Sequence, residues 1–446
     1  MKGSRDFEFS NIEGDWPSIP LGRAEDPLLL IMRNGITVDQ YKDRGDLRVT
    51  RIETISDGYI AENRVRYASG LKADQVQRFR IREGDVLFSH INSDPHLGKT
   101  AVALKDYDDL LHGMNLLLLR VNPKVLDARF LHFVCCFYRT TGRFVKIASR
   151  SVNQSSINQA RLKALEIPLP PLIEQRKIGN VLGLVWRAVE QNERLIALIS
   201  ELKKTLLHHL FTEGLRCEPQ KQTEIGPLPE SWEVAELGGL ATKVSKGSSP
   251  RWQGFEYIEN GILFVRSQNV GPGRMDFSDR VFLSPKFNEH EKRSVLKDED
   301  ILINLVGASI GRVALGTQEI EGANCNQAVG FVRMECEPVF KEFIVSYLLS
   351  PMGQRQIFSQ QKDIARANLS LLDVRSLKIP SPSADEVGEI ASVFRLLEAK
   401  IASCERRRYL LKEIFRALLH QLMTAQIRLH NLNLPELESN ERELLS

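Results

Sequence analysis

The strongest constraint on this chain is that it contains one long segment twice. IPLPPLIEQRKIGNVLGLVWRAVEQNERLIALISELKKTLLHHLFTEGLRC, beginning at Ile167, returns as IPSPSADEVGEIASVFRLLEAKIASCERRRYLLKEIFRALLHQLMTAQIRL, beginning at Ile379. The offset of 212 holds without a gap from Pro168 and Pro380 to Arg216 and Arg428. A repeat of this length, each copy following a stretch of globular composition, predicts two half-molecules of like design rather than one core around a single cleft.

The repeated segment itself reads as helix. In the first copy Ile178, Leu182, Val185, Val189, Ile196, Ile199, Leu206 and Leu210 recur in the four-and-three steps of a coiled-coil seam. The second copy repeats the seam as Ile390, Phe394, Leu397, Ile401, Cys404, Leu411, Phe415, Leu418 and Leu422. Pro170 and Pro171 lead into the first helix, and Ser383 with Glu386 forms an S-x-x-E capping box before the second. Each helix is expected to span roughly 40 residues, about 60 Å in length. A lone helix of this kind would expose its apolar stripe, so the two are expected to bury their seams against each other; packing of each on its own domain is the alternative. Asn192, Lys203 and Arg408 interrupt the seams. Antiparallel pairing about a pseudo-dyad near position 194 would set Asn192 opposite Arg408, a polar pair able to fix register.

The globular stretches align in outline. Trp16 corresponds to Trp232 at an offset of 216, GDVLFS from Gly84 to EDILIN from Glu299 at 215, and Gly98, Lys99 and Arg120 to Gly311, Arg312 and Arg333 at 213. Runs such as DVLFSHI, LLLLRV, ILFVRS, DILINL and AVGFVRM read as strands, with helices near 128–138 and 339–349. The expected fold class is α+β: two mixed α/β domains and two long antiparallel coiled-coil helices, related by a pseudo-two-fold internal repeat. The expected boundaries are 1–166 for the first domain, 167–216 for the central helix with its Pro-rich lead-in, 217–378 for the second domain, 379–429 for the distal helix and 430–446 for a polar tail.

Bulk properties exclude several classes. At 42% apolar and 26% charged residues the chain is neither fibrous nor disordered. No segment approaches the about 18 to 20 consecutive apolar residues of a membrane span, and the polar start lacks a signal-peptide core, which points to a cytoplasmic protein. Six scattered cysteines without a C-x-x-C pair suit reduced, buried thiols better than a disulfide framework or zinc site. The formal net charge of +3 is too small to argue for or against nucleic acid, because a local patch can be basic on a nearly neutral whole.

Catalytic signatures are missing. SDPHLGKT, from Ser93 to Thr100, ends like a phosphate-binding loop but has Ser93 where the first glycine belongs, and TAVAL behind it reads as strand. There is no H-E-x-x-H, and neither catalytic nor metal residues are assigned. What remains is a set of planar and cationic side chains. The second domain offers Lys243, Lys246, Ser248, Arg251 and Trp252 in a loop read as flexible, then Arg266, Gln268, Asn269, Arg312, Asn326 and Gln327. The first offers Arg51, Lys99, His112, Asn115, Arg150, Asn153 and Gln154. Arg can fork to guanine and Asn or Gln to adenine, while Lys and Ser hold phosphates; the other reading is a solvated loop surface using these residues for turns.

The order of variable domain, proline-punctuated long helix, second variable domain and matching helix resembles the DNA-specificity subunit of type I restriction-modification systems. The likeness runs from Trp16 to Leu429 and rests on IPLPPLIEQRKI with LLHHLFT, IPSPSADEVGEI with LLHQLMT, GPLPESWEVAELGGL and NLSLLDVRSLKIP. IPSPSADEV departs from a second PPLxEQ signature, and SSINQARLKALEIP is a weak counterpart of NLSLLDVRSLKIP. The resemblance implies a non-catalytic reader of a bipartite, asymmetric DNA target, with one half-site for each target recognition domain. It further implies docking of two adenine-N6 methyltransferase subunits and two restriction subunits, which would bring S-adenosylmethionine, ATP and magnesium. A helical-hairpin adaptor with protein- or sugar-binding domains is the alternative from another class.

Overall fold

A computed structural model describes residues 16–55, 58–150, 154–359 and 368–429. The chain divides into two compact units, Met1–Asn192 with Arg407–Ser446, and Glu193–Arg406. The polar tail expected at 430–446 lies outside the described residues.

Unit 1 is built on an antiparallel four-stranded sheet in the order Leu29–Asn34, Leu116–Val121, Asp85–Ser89, Thr100–Val102. Every residue of DVLFS is buried because both faces of the sheet are covered. Val86, Phe88, Leu117 and Leu119 face a core that holds Phe130, Leu131 and Tyr138 of the helix Ala128–Thr140. Their period-two neighbours Leu87, Leu116 and Leu118 face a second core with Ile55, Ile81 and Leu110. A small sheet sets Leu47–Val49 antiparallel to Arg66–Ala68 and parallel to Leu110–Leu111.

Unit 2 repeats the plan with Lys243–Lys246, Val329–Arg333, Ile301–Asn304 and Val313–Leu315 in the same order. Ile301, Ile303 and Val332 face the core of the helix Pro338–Leu349, and Leu302, Val329 and Phe331 face the other side. Its small sheet is Ile262–Val265, antiparallel to Phe282–Leu283 and parallel to Asn324–Cys325.

One ion pair recurs under both sheets. Arg120 donates through Nε and Nη2 to the two carboxylate oxygens of buried Asp85 at 2.6 and 2.7 Å. Arg333 does the same to Asp300 at 2.8 and 2.7 Å. Each carboxylate also accepts the backbone N–H three residues upstream, from Arg82 or Lys297, at 2.8 Å. These bonds compensate an otherwise costly buried charge and hold the Arg120 guanidinium above its ordinary pKa, the Asp85 bonds being the main cause.

Each unit closes where its chain enters a long helix. Ser18–Pro20 pairs antiparallel with Glu166–Pro168, and Glu233–Glu236 with Lys378–Ser381. The central helix, Leu172–Glu213, ends on Gly214 at φ +67°, and the distal helix spans Ala384–Met423. In unit 1 Glu174 meets Arg428 at 2.9 Å and Trp186 packs on Phe415 with ring centroids 5.1 Å apart. In unit 2 Lys203 pairs with Glu398, and Phe211 stacks on Phe394 at 6.0 Å. The helices therefore run antiparallel in both units. Leu207, Phe211, Leu419 and Met423, outside the expected seams, are buried as well. Near its ends each helix packs on the adjoining domain as well as on the other helix, so the two packings expected as alternatives coexist.

The capping box expected at the distal helix forms only in part. Glu386 N donates to Ser383 Oγ at 3.4 Å, but the Glu386 carboxylate accepts from Trp232 Nε1 at 3.0 Å and from Leu215 N at 2.9 Å. Gln175 of the PPLIEQ signature is buried and pinned: it accepts from Asp127 N and donates to Val125 O and Pro170 O. Its repeat counterpart, Val387, is buried in the apolar core of unit 2 instead.

Candidate nucleic-acid interface

In unit 2 the sheet register decides which loops share a neighbourhood. Lys246 pairs with Gly330, Asn304 with Val329 and Ile303 with Val313, so the segments after 246, after 304 and before 329 leave one end of the sheet together. The small sheet joins the same end, since Asn326 N donates to Val265 O at 2.9 Å and Asn304 Nδ2 to Ser267 O at 2.8 Å. Lys246, Ser248, Arg251, Arg266, Gln268, Asn269, Arg312, Asn326 and Gln327 are therefore carried by loops that converge at this end.

Their roles divide by exposure. Lys246, Arg251, Arg312 and Gln327 are exposed, and the three cations have no ion pair among the described residues. Arg266 is held by Asp279 at 2.9 Å, and Gln268 donates to the same carboxylate at 2.6 Å. Asn269 is buried: its Oδ1 accepts from Arg266 N, and its Nδ2 donates to Asp276 O and Asp279 O, each at 2.9 Å. It shapes the loop that presents Arg266 and Gln268. Asn326 Oδ1 accepts from Ala328 N at 3.2 Å, and Ser248 is buried.

Lys243 does not belong with them. The segment read as a flexible loop begins as the strand Lys243–Lys246, which places Lys243 at the opposite end of the sheet beside Arg333. Its ammonium lies 5.4 Å from the Phe331 ring centroid, and partial burial, with Arg333 adding to it, lowers its pKa. With Val244 as its one apolar residue, K-V-S-K carries no strand pattern of its own.

Unit 1 gathers its counterparts in the same way. Asn34 pairs with Leu117, Ser89 with Leu116 and Phe88 with Thr100, so Lys99 and Asn115 sit at one sheet end. Arg51 joins them, because Thr50 N donates to Leu111 O and Thr50 Oγ1 accepts from Gly113 N. Arg51 N donates to Thr54 Oγ1 at 2.8 Å, matching the Arg266–Asn269 bond of unit 2. Asn115 is exposed at φ +67°, a conformation Asn tolerates in turns. Arg150 lies 3.5 Å from Asp94 and Arg51 lies 3.1 Å from Glu53, so these cations are partly neutralised. Gln154 is exposed, and Asn153 lies outside the described residues.

His112 is a correction. It is fully buried, Nε2 lies 3.0 Å from Leu116 O, and burial pushes its pKa down to about 4. It supports the interior of the turn rather than a surface.

Two glycines that sequence reasoning passed over build both sheet ends. A Cβ on Gly35 would lie 1.8 Å from Gly113 O, and one on Gly247 would lie 1.7 Å from Cys325 O. Only glycine permits these crossings, and the shared offset of 212 between Gly35 and Gly247 was the available signal. The SDPHLGKT segment forms a 3-10 turn at Asp94–His96 and then the strand Thr100–Val102, not the helix a phosphate loop would need. Among the described residues no cluster of His, Cys, Asp or Glu is arranged to hold a metal ion, and no helix is long and apolar enough to cross a membrane.

Two copies of one α+β frame, each ending its sheet in polar and cationic loops, and both joined to paired helices, define a duplicated recognition protein. Residues 31–201 and 229–413 match the family described as the type I restriction modification DNA specificity domain, and the chain belongs to this family of DNA-specificity subunits. It is 32% identical over 424 residues to the MjaX type I restriction enzyme specificity subunit of Methanocaldococcus jannaschii, covering 94% of this chain and 96% of that one. The MjaVIII specificity subunit of the same organism is 25% identical over 314 residues, 70% of this chain and 72% of the other. The fold is similar to the crystal structure of the type I restriction-modification S subunit from M. genitalium. The TM-score is 0.60 at 18% identity, with 92% of this chain and 97% of that chain covered.

Proposed function

We propose that the chain reads a bipartite, asymmetric duplex sequence, one half-site for each target recognition domain, and lends that recognition to partner enzymes. Residues 1–166 and 217–378 are the two readers, 167–216 and 379–429 the helices that dock two adenine-N6 methyltransferase subunits, and 430–446 a polar tail. Two restriction subunits complete the assembly in the cytoplasm. Methyl transfer with S-adenosylmethionine, and ATP- and magnesium-dependent translocation and cleavage, fall to the partners; this chain supplies binding.

The observation that carries the reading is the pair of equivalent sheet ends with unlike side chains. The frame is common to both units, down to Gly35 and Gly247 and the Asp85–Arg120 and Asp300–Arg333 pairs. The exposed groups are not: Lys246, Arg251 and Arg312 in one, Asn115, Arg150 and Gln154 in the other. A constant scaffold with variable loops is what two independent readers require, since loop side chains reach base edges while the frame sets their register. Within the helix pair, the Glu174–Arg428 and Trp186–Phe415 register of unit 1 supports a level for Asn192 in the turn that carries Arg408, and we assign these two as the polar register pair.

Co-expression with its genomic neighbours, followed by mapping of modified adenines, tests the reading. Replacing residues 217–378 by the corresponding domain of a relative should change one half of the modified sequence and leave the other unchanged. A change in both halves, or no modification in the wild-type assembly, overturns it.

A further inference from the structure

We propose that Trp252 is an aromatic wedge that unstacks one base step within the half-site read by unit 2. The proposal rests on the reading that this unit binds duplex DNA, and adds how it deforms what it binds.

Trp252 is 88% exposed, more than any other large apolar side chain among the described residues. An indole left in water costs hydrophobic free energy unless something covers it in the working state. The ring is not on a loose tip. Arg251–Gln253 form a 3-10 turn in which Gln253 N and Phe255 N both donate to Pro250 O at 3.0 Å, and Gly254 N donates to Arg251 O at 3.3 Å with Gly254 at φ +80°. Gln253 Nε2 reaches the carboxylate of buried Glu291 at 2.6 Å, and Phe255 packs edge-on against Phe287 at 5.2 Å. Both sides of the turn are anchored in the core while the indole points to solvent.

The surroundings select a nucleic-acid occupant. The turn follows Lys246 out of the sheet end that also presents Arg312, and Arg251 is adjacent; these cations suit phosphates on either side of an inserted ring. An apolar wedge between base steps, flanked by cations, is a recognised way to kink a duplex. Among the described residues of unit 1 no large apolar side chain is exposed to the same degree. Its corresponding loop carries Tyr41, which is 37% exposed, with its backbone bonded both ways to Tyr67 at 2.9 Å and the Arg44 guanidinium 4.4 Å from its ring centroid. The deformation is therefore confined to one half-site, which should contain a pyrimidine–purine step, the easiest to unstack.

The test uses the full chain assembled with its methyltransferase subunits and the duplex mapped by adenine modification, with 2-aminopurine placed in turn at each purine other than the modified adenines and their immediate neighbours, because extrusion of those adenines by the methyltransferases would itself raise the signal. Wild type should raise fluorescence at one step of the unit 2 half-site and at none of the other half. Trp252→Ala should abolish the rise and weaken target binding about tenfold, with little effect on random DNA, while Trp252→Phe keeps part of both. Arg312→Ala, assayed at saturating protein, should keep the rise, which separates unstacking from simple loss of contact. Absence of a rise at every step while wild type binds its target overturns the wedge, as does a Trp252→Ala protein with unchanged affinity. A Trp252→Ala chain that no longer assembles with methyltransferase subunits would make the indole a protein-docking group instead. Failure of wild type to bind any duplex would overturn the recognition reading itself, and the wedge with it.

Discussion

The buried carboxylate of Glu386, at the start of the distal helix, accepts the indole N–H of Trp232 at 3.0 Å. Its second oxygen accepts Leu215 N, just beyond the end of the central helix, at 2.9 Å. One side chain thus ties together the first tryptophan of unit 2, the exit of one long helix and the beginning of the other. The repeat counterpart, Glu174, serves the same corner of unit 1 by pairing with Arg428, which in turn lies 5.0 Å from the Trp16 ring centroid. A carboxylate at a helix N-terminus also complements the helix dipole.

Glu386→Ala should therefore destabilise unit 2 by about 1–3 kcal/mol, because it strands the buried Trp232 indole N–H and the half-buried Leu215 N–H. Denaturant unfolding followed by Trp fluorescence reads the change, and Glu386→Gln should recover part of it by keeping acceptor oxygen at the site. Equal stability of the Ala variant and wild type would show that water satisfies both donors.

Acid should unfold unit 1 before unit 2. Burial depresses His112 and His132 of unit 1 to about 4, against an ordinary value near 6.5. A histidine held neutral in the folded state takes up a proton more readily when unfolded, so stability falls as pH drops through the window from about 6.5 to 4 and levels off below it. The cost is about 2 kcal/mol for each histidine at pH 5. Hydrogen exchange at pH 7 and pH 5 should show unit 1 losing protection first. His132→Gln, which retains a partner for Thr100, should flatten the slope.

Arg312→Ala should cost about 1–3 kcal/mol of target affinity if the guanidinium forks to a base, and leave random DNA nearly unaffected. If it holds a phosphate instead, both affinities fall together and the salt slope drops by about one. Lys243→Ala should change neither, since its ammonium sits at the far end of the strand over Phe331. Titrations on target and random duplexes at several salt concentrations distinguish these outcomes.

Inserting one helical turn, about 5.4 Å, into both long helices should lengthen the preferred spacer between half-sites by roughly one or two base pairs at 3.4 Å each. Mapping of modified adenines measures this directly. Retained modification at an unchanged spacing would mean that the helices do not set the distance.

The helices were legible because their signal is local and periodic: Ile178, Leu182, Phe394 and Leu422 follow the seam, and all are buried. Strands with continuous apolar runs, such as Asp85–Ser89 and Leu116–Val121, were legible for the same reason. Lys243–Lys246 was not, because its polar residues and the following Gly-Ser-Ser-Pro resemble loop. The buried ends of Glu386 and Gln175 were equally hidden, since a capping box and a signature glutamine name the residue without naming its distant partner.

The sequence by itself determined that the protein is two copies of one plan joined to paired helices, because duplication and hydrophobic periodicity are written residue by residue. Tertiary structure alone decided which polar side chains form a surface. Strand order brings Lys246, Arg266, Arg312 and Asn326 to one sheet end from positions far apart in the chain, whereas burial withdraws His112 and Asn269 to hold the turns behind it. Exposure and neighbourhood depend on contacts between distant segments, and no local pattern encodes them.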